Sequence, residues 1–149
     1  MCTEKITEIR KLSQKYAYAS LQMHETIARK AGFSATDHKY LGFFLQKGSL
    51  TAGELASLTG LTSGAVTGLI NRFERKKLVK RVHDHHDGRK VIIEPDRTKI
   101  MALMTPFYQT FQQESENIIA SFSEAEMEIL KAYFLKALAL TQETYNQFK

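Results

Sequence analysis

The sequence predicts a mainly α-helical protein that carries one small β-hairpin. Apolar residues recur every three or four positions through most of the chain, the period of helices with one buried face. Pro and Gly are scarce, 2 and 8 of 149 residues, so long helices meet few breaks. Between Leu78 and Ile93 the pattern changes to two β-branched runs around a polar segment, the mark of a hairpin.

Each element follows from its residues. Ile6, Ile9, Leu12, Tyr16, Ala19, Met23 and Ile27 form one stripe of a long first helix that Gly32 stops. Ser34 or Thr36 caps a second helix with Tyr40, Leu41, Phe44 and Leu45, ending at Gly48. Thr51 opens a short helix holding Leu55, Ala56 and Leu58, and Gly60 closes it. Thr62 caps a fourth, with Val66, Leu69, Ile70 and Phe73 inward. Leu78, Val79 and Val82, then Val91, Ile92 and Ile93, form two strands around the polar loop His83–Gly88, and Pro95 ends the second. Helical period returns near Thr98 with Ile100, Leu103, Phe107 and Phe111. Ser123 with Glu126 is a capping box for the last helix, striped by Met127, Leu130, Phe134, Ala137, Leu138, Thr141 and Tyr145.

Composition narrows the function classes. The chain has 43% hydrophobic and 25% charged residues, a globular balance. One Cys, Cys2, excludes an intrachain disulfide and suits a reducing compartment. No apolar run approaches the roughly 18 residues of a membrane span, and the N-terminus lacks an apolar signal core. A soluble cytoplasmic protein is expected. The net charge of +5 is uneven. Residues 1–50 hold 8 Lys/Arg against 4 Asp/Glu, residues 51–100 hold 10 against 6, and residues 101–149 hold 3 against 6. The densest cationic stretch runs from Arg72 to Lys90. Such a surface attracts polyanions through counterion release; by itself it also fits a solvated helix face.

Thr51 to Phe73 fits a helix-turn-helix. Ala56 is small where two helices approach, Gly60 suits a left-handed turn, Leu61 plugs it, and Val66 and Leu69 face the first helix. If the apolar residues of the second helix point in, Thr62, Ser63, Gly64, Thr67, Gly68 and Asn71 point out. Hydroxyls, methyls and the Asn amide, which can pair with adenine, suit base edges in the major groove. Gly64 and Gly68 disfavour a helix; close approach of the backbone to DNA is one reason to keep them, and simple tolerance by tertiary packing is the other. The hairpin that follows makes a wing. Its loop lies between Lys80-Arg81 and Arg89-Lys90, and Arg89 is the candidate for entering the narrow minor groove. Asp87 is placed to hold that guanidinium in a bidentate pair. Arg72, Arg75, Lys80 and Lys90 complete the expected DNA contacts.

The run Leu55–Glu74, then Lys77-Leu78-Val79-Lys80-Arg81 and Asp84-His85-His86-Asp87-Gly88-Arg89-Lys90, resembles the MarR family of bacterial transcription regulators. The family's wing usually reads Asp-x-x-Asp-Arg-Arg or ends in Asp-Gly-Arg, and Asp87-Gly88-Arg89 matches the second form. The resemblance implies that Arg89 enters the minor groove and Asp87 orients it, with one phosphate contact fewer because Gly88 replaces an Arg. It covers nearly the whole chain, implying a single domain over 1–149 with a winged-helix DNA-binding part at 36–97 and dimerisation helices at 1–33 and 98–149. Stripes carrying Ile9, Leu12 and Tyr16 at one end, and Phe134, Leu138 and Tyr145 at the other, also suit a two-fold partner; folding back onto their own core is the alternative.

The expected function is therefore that of a sequence-specific DNA-binding regulator, a ligand-responsive repressor acting as a homodimer on a pseudo-palindromic operator. The alternative is a winged-helix protein-interaction module without DNA binding. Members of the family commonly sense aromatic ligands. Tyr16, His24, Tyr40, Phe44 and Phe107 are the candidate pocket residues, with Tyr18, Met23, His38, Phe43 and Tyr108 nearby in the pattern; each also suits a core or interface. No cofactor or metal is expected. His24-Glu25 begins a zinc-protease motif that fails at Ala28. His83, Asp84, His85, His86 and Asp87 on an exposed wing suit solvent or phosphate better than a metal. Cys2 has no neighbouring base to activate it, so no redox role is expected. No convergent catalytic set supports an enzyme.

Overall fold

The computed structural model describes all of residues 1–149. Its elements are α1 (Cys2–Lys30), α2 (Ala35–Lys47), β1 (Leu50–Thr51), α3 (Ala52–Thr59), α4 (Ser63–Arg75), β2 (Val79–His83), β3 (Val91–Pro95), α5 (Arg97–Ala120) and α6 (Glu124–Phe148). The six expected helices and the hairpin are present. A third strand joins them. Leu50 and Thr51 pair antiparallel with Ile93 and Ile92, so the sheet order is β1-β3-β2. Two residues carry no period of two, which leaves such a strand without a sequence pattern.

Local chemistry sets most boundaries. Between the two candidate caps, the Ser34 hydroxyl is the one that accepts the Asp37 amide, at 3.1 Å. Thr51 and Glu54 form a reciprocal capping box on α3, and Thr62 caps α4 by accepting the Ala65 amide at 3.2 Å. Gly60 ends α3 at φ 72°, a backbone that a side chain resists. Ser123 and Glu126 form both halves of the α6 capping box, and those bonds hold the Glu126 carboxyl below its ordinary range. After α4 the chain turns through Lys77 at φ 58° while the Leu78 amide reaches back to the Phe73 carbonyl at 2.9 Å. This closes α4 without the glycine that such a turn favours.

The chain forms two compact units, residues 1–106 and 107–149. The core of the first is built from Leu41 and Phe44 of α2, Leu55 of α3, Val66, Leu69, Ile70 and Phe73 of α4, and Ile93 and Ile100 beyond. Phe44 and Phe73 meet edge to face at 6.4 Å between centroids, the arrangement that ring quadrupoles favour. None of residues 107–149 is buried. Ile129, Phe134, Leu135, Leu138 and Leu140 lie open along α6, as do Ile6, Ile9, Leu12 and Tyr16 along α1.

Where α1 meets α2, the half-buried rings of His24 and His38 lie 6.1 Å apart. Burial, and then the nearby His24 ring, hold His38 below the ordinary imidazole value. A free imidazole takes its proton near pH 6.5. The unfolded chain therefore binds more protons than the fold once pH drops below about 6.5, and stability falls with it. Denaturant midpoints at pH 7.5 and 5.5 should show this loss, and His38→Gln should reduce the difference.

Candidate nucleic-acid interface

Helix α4 is amphipathic in the strict sense that one edge is sealed. Val66, Leu69, Ile70 and Phe73 are buried, while Thr62, Ser63, Gly64, Thr67 and Asn71 are exposed and Gly68 is half-exposed. At about 100° per residue, Gly64, Asn71 and Arg75 fall near the centre of the open edge. The Thr67 hydroxyl donates to the Ser63 carbonyl at 3.0 Å, so it presents a methyl and lone pairs outward. Neither glycine is demanded by the chain itself. A methyl group at Gly64 would meet nothing within 4 Å, and one at Gly68 would meet only Arg72 Nη1 at an ordinary 3.5 Å.

Two arginines fix α4 in place. The Arg72 Nε and Nη2 donate to the two Asp37 carboxylate oxygens at 2.9 and 3.0 Å, a bidentate pair across α4 and α2. The Asp37 hydrogen bonds are the main cause that raises Arg72 above its ordinary value. Arg72 was expected on DNA; the structure commits two of its nitrogens to Asp37 instead. The sequence signal for Asp37 was its place at the i, i+4, i+7 positions with Leu41 and Phe44, which turns a carboxylate into the core. Arg81, from β2, carried no such signal. Its Nη1 donates to Glu74 at 2.6 Å and its Nη2 to the Asn71 side-chain oxygen at 2.8 Å, joining wing and helix.

The wing is a ladder from Val79↔Pro95 to His83↔Val91. Its tip is closed by its own side chains. Asp84 accepts the His86 amide at 3.0 Å, and the His83 Nδ1 donates to the Gly88 carbonyl at 3.0 Å. The expected ion pair of Asp87 with the Arg89 guanidinium does not form. Asp87 accepts the Arg89 backbone amide at 3.1 Å instead, because a carboxylate two residues upstream closes a turn without ordering a long side chain. Lys80 pairs with Glu94, its neighbour across the strands, at 3.5 Å. Arg75, Arg89 and Lys90 have no carboxylate partner and stay exposed. The sites expected on α4 and the wing are thus on one unit, with Arg72 and Lys80 engaged inside it.

The candidate pocket residues do not gather in the same way. Phe44 belongs to the core, fully buried against Phe73; its stripe position with Leu41 suited a core from the start. Tyr16 is 64% exposed and sits two helical turns from His24, about 12 Å along α1. Tyr40 is half-buried and stacks on Phe43 at 6.1 Å. Phe107 is partly exposed in the second unit.

A polar helix edge held beside a cationic hairpin defines a winged helix-turn-helix protein of the DNA-binding class. The model of the MarR family matches residues 31–90, which span α2 to the wing tip. The Bacillus subtilis HTH-type transcriptional regulator YcgE, itself uncharacterized, is 28% identical over 138 residues, covering 93% of this chain and 89% of its own. A MarR family protein of Bacillus stearothermophilus superposes with TM-score 0.69 at 29% identity, over 97% of this chain and 98% of that one. A mutant of MepR from S. aureus, solved bound to an oligodeoxyribonucleotide, superposes with TM-score 0.59 at 25% identity, over 89% and 97% of the two chains. The chain is thus similar to MarR family transcription regulators, in sequence over residues 31–90 and in fold over nearly its whole length.

The clamp on α4 makes a stability prediction. Asp37→Ala leaves Arg72 unpaired at the edge of the core. Breaking a fully buried pair costs about 3–5 kcal/mol. Arg72 keeps 46% of its side chain exposed, so water offsets part of that, and a loss of about 1–2 kcal/mol is expected. Urea unfolding measures it.

Proposed function

We propose that the chain acts as a homodimeric, ligand-responsive repressor on a pseudo-palindromic operator. The observation that carries this reading is the sealed edge of α4: with its apolar residues buried, Ser63, Gly64, Thr67, Gly68 and Asn71 are left to face a groove, beside Arg75, Arg89 and Lys90, which have no carboxylate partner. Arg89 reaches the minor groove from the wing, where the potential is most negative. Asp87 shapes its backbone rather than its guanidinium. A mutant of the relative MepR is solved with an oligodeoxyribonucleotide on it, which supports the same ligand class here.

Dimerisation within 1–33 and 98–149 is supported by apolar side chains too large to leave in water. Ile9, Leu12 and Tyr16 on α1, and Phe134 and Leu138 on α6, are all more than half exposed. Exposed apolar stripes of this kind, each on its own helix, suit an interface, and a two-fold partner presents two recognition helices to half-sites one DNA turn apart. Ligand response is supported by the half-buried His24 and His38, 6.1 Å apart where α1 meets α2, and by the half-buried Tyr40–Phe43 stack elsewhere on α2. Aromatic and imidazole groups suit a planar, weakly polar ligand.

Arg89→Ala tests the wing. Binding to an operator selected from random DNA should weaken about tenfold or more, with helical circular dichroism unchanged. The salt slope should fall by about two per dimer, one charge from each protomer. Unchanged affinity and slope would remove the wing from the interface. No binding at low salt would return the chain to a protein-interaction module. Gly64→Ala separates fold from contact. It should stabilise α4 by up to about 1 kcal/mol and still weaken DNA binding, because the added methyl stands where the helix meets the groove.

A further inference from the structure

We infer that Asn71 reads DNA as a hydrogen-bond donor, and that Arg81 sets this sense from behind. The inference rests on the DNA-binding reading of α4. A guanidinium offers donors only. With Arg81 Nη2 2.8 Å from the Asn71 side chain, the atom facing it must be the amide oxygen, and the amide NH2 is turned away from the wing strand. The other Arg81 nitrogen is held by Glu74 at 2.6 Å, so the guanidinium is gripped at two points and does not follow the amide if it rotates. Asn71 sits near the centre of the open edge of α4, its side chain exposed.

The bidentate grip of Asn on adenine needs oxygen and nitrogen of one amide edge turned together to N6 and N7. Turning the tethered oxygen into the groove breaks its bond to Arg81 and leaves that guanidinium with Glu74 alone. The favoured partner is therefore a base edge that offers acceptors with no donor beside them, guanine O6/N7 or thymine O4; adenine N7 also accepts, but its N6 donor is then left without the amide oxygen. This replaces adenine, the pairing that the residue type alone suggests. Arg81 is then a positioning residue for specificity: it touches no base, yet it decides which atom of Asn71 does.

Selection from a random DNA library with the full-length protein and three variants tests this, with circular dichroism to confirm folding. Asn71→Ala should relax one position of each half-site, and wild type should select guanine or thymine there. Asn71→Asp keeps an oxygen for Arg81 but presents no donor; its affinity for the wild-type operator should drop about tenfold or more, with cytosine entering at that position. Arg81→Lys keeps the charge beside Glu74 while freeing the amide, and adenine should then be admitted. Adenine selected by wild type at that position, no position relaxed by Asn71→Ala, or an unchanged preference in Arg81→Lys would each overturn the inference alone. A folded wild type that enriches no sequence would overturn the DNA-binding reading, and the inference with it.

Discussion

The constraint on which the molecule depends is the burial of one edge of α4. Val66, Leu69, Ile70 and Phe73 are almost fully removed from water, each contributing about 1.5–3 kcal/mol of transfer free energy. That sum fixes the rotation of the helix about its own axis. Once rotation is fixed, the opposite edge is fixed too, and every polar side chain on it acquires a direction. Functional placement is here a consequence of core packing. The helix presents Gly64, Thr67 and Asn71 outward because Phe73 must meet Phe44.

Burial alone leaves a helix free to rock or slide, and polar contacts remove that freedom. The Asp37–Arg72 pair joins α4 to α2, and the Arg81 contacts join its C-terminal half to β2. These bonds divide the cationic stretch into two groups. Arg72, Lys76, Lys80 and Arg81 have partners within the chain, whereas Arg89 and Lys90 stand open to solvent and Arg75 reaches only the Asn71 carbonyl, at 3.4 Å. Charge density along a sequence does not reveal this division, because a pair such as Arg72 with Asp37 joins residues 35 positions apart.

The legible parts of the fold were those with a period or a cap. The stripes of α1, α4 and α6, the Thr62 cap, the Ser123–Glu126 box and the left-handed Gly60 follow from residues close in sequence. The illegible parts lack such a local signal. β1 is two residues long and exists because β3 has an edge to fill. Lys77 takes a positive φ that its residue type does not announce, since the α4 cap is satisfied by backbone bonds. Asp87 misled for a related reason: spacing places it beside Arg89, and only the turn decides that the amide, not the guanidinium, receives it. Phe44 suited both a pocket and a core by type, and its neighbours Leu41 and Phe73 settle it as core.

The same logic explains how hydrogen-bond polarity is set on a surface that meets a partner. An exposed Thr or Asn carries both a donor and an acceptor, so by type alone it is ambiguous toward any base. Internal bonds remove the ambiguity. Thr67 turns its hydroxyl hydrogen onto the Ser63 carbonyl, leaving lone pairs outward, and Asn71 turns its oxygen onto Arg81, leaving its NH2. Neighbouring positions on one helix edge thus present opposite senses, acceptor at Thr67 and donor at Asn71. A duplex edge that matches both must alternate in the complementary order, which narrows the sequences that fit more than the two residue types do. On the proposed DNA-binding reading, groups that never reach the groove shape what the groove must contain.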